Sequence, residues 1–416
     1  MQSLVDVCVS ASRRRSENET AKTFFSASLR ALRAHLGMEV AFVSHFANGR
    51  RYFRHLDSSP GAIVPSVGAS DELEDPFCLR VIDGRLPEII RDAETHEEAM
   101  KLPATRRYRV KSHISVPIRL FEGTIYGTLC CFSSRANHEL DDRDLDVMRT
   151  FADVMAEHVE RDLAEHAQME EAMRRIKRII QSNDLHIVYQ PIVNVAQGVV
   201  VGFEALTRFD LTPPRSPDAW FAEATRVGLG VDLETHCIKE ALRALEHLPV
   251  EQYISLNASP ATIISGSLRQ VLHGVPPRRV VIEVTEHAVV EHYGELLEAF
   301  QPMQEAGIRF AIDDAGAGYA SFRHILNLSP HMIKLDVSIT RGIDVDRSRR
   351  ALAVALSGFA RETNCRLVAE GVETAAEWEV LRQIGFSKAQ GYFLGRPMPL
   401  DQAVRFVLST ADRPTS

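Results

Sequence analysis

In the second half of the chain, a series of short apolar runs each carries a polar residue able to do chemistry. Glu204 closes the run that begins at Val199, and Asn257 closes the run from Tyr253. Glu283 and Glu286 close the run from Val280, Asp313 and Asp314 the run from Phe310, and Glu370 the run from Leu367. Lys334 lies within the run from Met332, and Gln390 opens the last one. Carboxylates crowded into one place repel, and some take up protons instead of staying charged. Divalent cations relieve that repulsion. A donor set that is all oxygen, with no His or Cys, favours Mg2+ or Mn2+ over Zn2+. The adjacent pair Asp313-Asp314 could serve two ions, one carboxylate bridging. Two ions a few Å apart are a recurrent arrangement for in-line phosphodiester cleavage. Taken singly, each residue has a bland reading: a turn or cap for Asp-Asp, a surface position for Glu, a snorkelling side chain for Lys. Their recurrence in successive elements is the signal.

The elements that must position these residues read as strands: Ile187–Val193, Val199–Leu206, Tyr253–Leu256, Val280–Val284, Arg309–Ile312, Met332–Leu335, Arg366–Ala369 and Ala389–Leu394. Helical patterns lie between most of them, at Leu233–Leu245, Leu296–Glu305, Ser348–Glu362 and Ala375–Ile384. Alternating strands and helices of this number predict an α/β fold with a (β/α)8 barrel, which gathers its active site at the strand ends. A doubly wound open sheet competes on pattern alone. The N-terminal third predicts a second α/β unit. Thr20–Leu36 and Asp141–Val159 read as helices. Glu39–Phe46 and Tyr52–Leu56 read as strands turned at Asn48-Gly49, Ser58–Asp75 as loop, and His113–Arg119 with Thr124–Ser133 as a hairpin. The helical pattern after Asp141 runs on through Leu163, Met169, Met173, Ile176 and Ile180. It is either one long connector or two helices with a solvated break near Ala164–Ala172. The expected division is a tail over 1–19, a domain over 20–160, a helical linker over 161–181, a barrel over 182–409 and a tail over 410–416.

At its polar positions the sequence resembles the EAL family of bacterial cyclic di-GMP phosphodiesterases. The signature stands as Glu204-Ala205-Leu206 within Phe203–Arg208. Tyr189–Ile192 precedes it. Leu256–Ser259, Glu283–Glu286, Asp313–Gly318, Ile333–Asp336, Ala369–Glu373 and Gln390–Tyr392 follow in family order. The resemblance implies a modified barrel whose first strand runs antiparallel, and hydrolysis of cyclic di-GMP to linear pGpG. It implies that Glu204, Asn257, Glu283 and Asp313 hold one metal ion, and that Asp313, Asp314 and Glu370 reach a second. Lys334 would steady negative charge near the reacting phosphate, and Gln390 would position the water or phosphate. Arg208 would clamp phosphate, Gln190 would contact substrate, and Glu373 would anchor the loop after the fifth strand. That loop usually reads Asp-Asp-Phe-Gly-Thr-Gly; here Ala315 and Ala317 replace the Phe and Thr, while Gly316 and Gly318 are kept. A receptor that binds the dinucleotide without cutting it, or a regulator that acts through protein contacts, are the alternatives. No GGDEF-like motif speaks for a cyclase.

The N-terminal segment resembles a GAF sensory domain on Ile114–Ile118, Gly123–Leu129 and the helix after Leu140. Its ligand is an unknown small molecule or none, and family analogy implies a homodimer. Cys78 reads as an incidental loop cysteine, with a chromophore or redox attachment as the sharper alternative. Cys130-Cys131 read as packing residues, and nothing around His113 or His138 marks them as ligands. A net charge of −8 and a pI of about 6.1 argue against broad DNA or membrane binding. No stretch approaches the roughly 18–20 apolar residues a membrane helix needs, and the expected location is the cytoplasm. None of the 6 cysteines forms a CxxC pair or a zinc spacing.

Overall fold

The computed structural model describes residues 23–73, 76–182, 184–285, 293–316 and 325–411. They fall into two compact units, divided in the chain between Glu170 and Glu171. In the first, helix α1 (23–35) leads into strands β1 (Val40–Ala47) and β2 (Arg50–Ser58). Asn48 and Gly49 turn this hairpin, both at positive φ (51° and 70°), as a tight hairpin turn requires. Then come β3 (Ser70–Glu72), α2 (Phe77–Ile82), β4 (Ile89–Ile90), α3 (Glu97–Lys101) and α4 (Pro103–Arg107). The pair β5 (Ser112–Arg119) and β6 (Ile125–Ser133) completes an antiparallel sheet in the order β3-β2-β1-β6-β5-β4. Side chains alternate between its faces with period two. Leu129 and Cys131 pack with Leu29, Leu32, Met148 and Met155 from the helices on one face. Cys130 and Phe132 pack with Phe42, Phe77 and Cys78 on the other. The short pieces β3, β4 and α2–α4 escape sequence reading because none is long enough to show a period.

Helix α5 (Asp142–Gln181) is one continuous helix of 40 residues, which settles the question of a break near Ala164–Ala172. It contains no Pro or Gly to interrupt it.

In the second unit, strands β7 (Leu185–Asn194), β8 (Val200–Phe209), β9 (Tyr253–Asn257), β10 (Val280–Thr285), β11 (Arg309–Ala315), β12 (Met332–Leu335), β13 (Arg366–Ala369) and β14 (Lys388–Ala389) close into a barrel. The open-sheet alternative is thereby excluded. β7 runs antiparallel to β8 and to β14, and the other pairs are parallel. The last strand is shorter than its apolar run suggests. Gln390 follows β14 instead of opening it. Beyond it the chain folds onto Val372, whose N–H donates to the Gln390 carbonyl at 3.1 Å while Phe393 N–H donates to the Val372 carbonyl at 3.0 Å. A Cβ at Gly391 would meet the Val372 backbone at 2.2 Å, so only glycine allows that approach.

Candidate active site

The barrel interior is built in layers, and the strand period of two places the site. Ile192, Tyr253, Val281, Ala311, Met332 and Val368 form an apolar layer. Two residues further along β9–β13 stand Ser255, Glu283, Asp313, Lys334 and Glu370, one pleat nearer the strands' C-terminal ends. Gly202 and Glu204 repeat the relation on β8. Gly202 is required there because a Cβ would meet the Tyr253 carbonyl at 2.7 Å. On β7 the direction reverses, and Gln190 precedes Ile192; its register partner is Glu204. The intervening residues, such as Phe203, Ile254, Ile282 and Ile333, belong to the larger core outside the barrel.

At the centre lies the Lys334 ammonium. Its Nζ is 3.2 Å from Glu204, 2.8 Å from Glu283, 2.9 Å from Asp313 and 2.7 Å from Glu370. An ammonium has three N–H groups, so four carboxylates exceed what it can satisfy. Asp313 Oδ1 is close to Nζ yet receives no hydrogen bond. Burial pushes the Glu283 carboxyl up to about 8, helped by Glu204 and Asp313 and opposed by Lys334. Burial and the Asp313 charge push Asp314 up to about 6. Burial, then Asp313 and Glu204, hold Glu370 well above the ordinary carboxylate range. For Glu204, burial pushes up too, but Lys334 and hydrogen bonds from Gln390 and Asn257 outweigh it and its carboxyl is lowered.

This is a site with more negative charge than one lysine balances, and all its donors are oxygen. Carboxylate oxygens of Glu204, Glu283 and Asp313 lie within 4.8 Å of one another, as do those of Asp313, Asp314 and Glu370. Asp313 is common to both groups. The arrangement fits two hard divalent cations sharing one carboxylate. Strict alternation would send Asp314 outward, away from Asp313. The register of β11 against β12 is irregular between Ile312 and Ala315, and Asp314 sits at φ 58°. This left-handed residue turns its carboxylate back toward Asp313 and Glu370.

The remaining expected residues are placed as follows. Asn257 Nδ2 donates to Glu204 at 3.2 Å. Gln390 Nε2 donates to Glu204 at 2.7 Å and to Gln190 at 3.0 Å, and Gln190 Nε2 donates to the Gly395 carbonyl at 3.3 Å. Arg208 shares the Glu204 face of β8, and its guanidinium donates to the Thr207 carbonyl at 2.9 Å. The Glu373 carboxylate pairs with Arg341. The loop it was expected to anchor continues through 317–324, outside the described residues, as does Glu286. Ala315 is buried in the outer core. Sequence reasoning missed Ser255, whose hydroxyl donates to Glu283 at 2.5 Å. Its position two residues before Asn257 in the same strand was the available signal.

The EAL domain family model matches residues 172–397, more than half of the chain. The chain belongs to the EAL domain family. Its EAL domain places it in the cyclic di-GMP phosphodiesterase family, and divalent metal binding is typical of EAL domains. A GAF domain model matches residues 20–159. The bifunctional diguanylate cyclase/cyclic di-GMP phosphodiesterase MucR of Pseudomonas aeruginosa is 26% identical over 352 residues, 80% of this chain and 50% of MucR. The oxygen sensor protein DosP of Escherichia coli is 29% identical over 242 residues, 55% of this chain and 30% of DosP. The chain therefore spans half or less of these relatives' length. A solved structure of the PaMucR phosphodiesterase in complex with c-di-GMP superposes with a TM-score of 0.51 at 28% identity, covering 56% of this chain and 99% of that one. Among the described residues, no helix is long and apolar enough to cross a membrane.

Proposed function

We propose that the EAL domain hydrolyses cyclic di-GMP, opening one of its two phosphodiester bonds to give linear pGpG. The observation that carries this reading is the pair of carboxylate groups joined at Asp313 around the buried Lys334. Glu204, Asn257, Glu283 and Asp313 would hold one Mg2+ or Mn2+, and Asp313, Asp314 and Glu370 a second. Bound there, such ions lower the pKa of a water and neutralise phosphate charge. Lys334 steadies the negative charge that grows on the phosphate in the transition state. Gln390, tied to both Glu204 and Gln190, orients the attacking water or the phosphate. Arg208 clamps phosphate from the same face of β8, and Gln190 contacts the substrate. The GAF domain regulates this activity within a cytoplasmic homodimer, through the continuous helix α5.

The test is to incubate purified protein with cyclic di-GMP and Mg2+ or Mn2+ and to follow pGpG by chromatography. Wild type forms pGpG and Glu204→Gln does not. Unchanged hydrolysis by Glu204→Gln would remove its role as a ligand. The second reading, a receptor that binds without cutting, is favoured by Ala315 and Ala317 in the metal loop. Tight cyclic di-GMP binding with no pGpG under either metal would select it.

A further inference from the structure

Away from the barrel, the GAF domain brings together three residues that lie far apart in sequence. Cys130 is on β6 and His113 on β5. The register pairs His113 with Phe132 and Ser115 with Cys130, so His113 and Cys130 are diagonal neighbours on one sheet face. Helix α2 lies over that face and carries Cys78. The expectation of Cys78 as a loop residue is corrected: it is helical and fully buried. Cys130 packs in the core as expected, while His113, read as unmarked, has both sulfurs beside it. The Cys78 and Cys130 sulfurs are 3.0 Å apart, and a ring nitrogen of His113 lies within 4.8 Å of both. His113 is only 2% exposed, and its Nδ1 has no hydrogen-bond partner.

We propose that Cys78, Cys130 and His113 form a binding site for a thiophilic divalent cation, Zn2+, within the GAF domain. Two thiolates and an imidazole are the soft and borderline donors that select Zn2+ over the Mg2+ or Mn2+ suited to the barrel. The charges close. Zn2+ with two thiolates and a neutral imidazole has no net charge. The buried Arg51 beside it donates to Cys78 Sγ at 3.2 Å and is itself balanced by Asp71, 2.9 Å from its Nε. An N–H donor on a ligating sulfur is the kind of outer contact that fixes a ligand's orientation. Among the described residues, no fourth His, Cys, Asp or Glu joins the group. His113 and Arg51 also border a cavity of about 20 Å³, with Phe42, Phe53, Phe77 and Phe132. It is large enough for a water-sized ligand. A Cys78–Cys130 disulfide is the competing use of the two sulfurs. It would give His113, whose ring nitrogen lies within 4.8 Å of both sulfurs, nothing to ligate, which is why the metal reading is preferred.

The test uses the full chain, purified metal-free under reducing conditions, with excess Mg2+ to fill the carboxylate site. Titration with Co2+ as probe is expected to give thiolate-to-cobalt charge-transfer absorption that saturates at one equivalent and is displaced by Zn2+. The barrel site has no thiolate, so Glu204→Gln keeps the band, while Cys78→Ser and Cys130→Ser lose it with circular dichroism unchanged. If those variants do not fold, X-ray absorption on the wild-type zinc form decides, with two sulfurs at about 2.3 Å and a nitrogen at about 2.0 Å expected. Absence of the charge-transfer band from reduced wild type overturns the proposal, as does a zinc shell without sulfur. A Cys78–Cys130 disulfide in aerobically isolated protein, with no Co2+ binding after reduction, makes the pair a redox couple instead.

Discussion

Lys334 and Glu283 face each other inside the barrel with Nζ 2.8 Å from the carboxylate, and each is only 1% exposed. A buried ion pair of this kind is poor evidence of stabilisation by itself, because desolvation offsets the attraction. Its meaning comes from Glu204, Asp313 and Glu370, which press on the same ammonium. The lysine holds the four carboxylates together at one place.

Replacing Lys334 with Met removes that compensation. Metal-free Lys334→Met is expected to lose about 3–5 kcal/mol of stability at neutral pH, the scale for stranding a buried charge. Mg2+ or Mn2+ should restore most of it. Turnover should fall far more than cyclic di-GMP affinity. Thermal unfolding with and without metal, alongside calorimetric binding, tests both; equal losses of turnover and affinity would contradict the role assigned to Lys334.

Ser255 orients Glu283 without being able to hold a metal ion well itself. Ser255→Ala should weaken Mn2+ binding by about 10–100-fold, as loss of an outer hydrogen bond commonly does. Calorimetric titration of Mn2+ measures it. An unchanged affinity would reduce the contact to packing.

Ala315 is 2% exposed and packs in the core outside the barrel. Restoring the family's Phe by Ala315→Phe alone should cost about 1–3 kcal/mol through overpacking. Urea unfolding at fixed metal concentration checks this, and an unaltered midpoint would show that the site has room.

Lys388 lies in the apolar layer below the site, where Nζ donates to the Tyr253 hydroxyl at 2.9 Å. Burial lowers its pKa from 10.5 to about 7, aided by Arg309 and Arg366 and opposed by Glu283. Between those values the unfolded chain binds a proton that the folded chain does not, so this group makes stability rise with pH. The cost is absent above about 10.5 and complete below about 7. Lys388→Met should flatten the rise and stabilise the protein at pH 7 by on the order of 1 kcal/mol. Denaturation midpoints across pH 7 to 10 measure the slope, and an identical slope in the variant would remove Lys388 as its source.

The sequence by itself determined what depends on local pattern. Apolar runs of strand length alternating with amphipathic helices specify a parallel α/β unit. Polar residues repeated at the same place in each run announce a shared site, because alternation sends them to one face. Glu204, Glu283, Asp313, Lys334 and Glu370 were legible in this way. The tertiary structure decided what depends on closure and on departures from regular alternation. Pattern could not choose barrel over open sheet, since both satisfy the same periods. Nor could it bring Asp314 beside Asp313, because adjacent strand residues point apart unless the backbone breaks register, as it does at φ 58°. Ser255 needed the pairing of β9 with β10 to meet Glu283. Cys78, His113 and Cys130 carry no motif spacing, and only a helix laid across two paired strands makes neighbours of them.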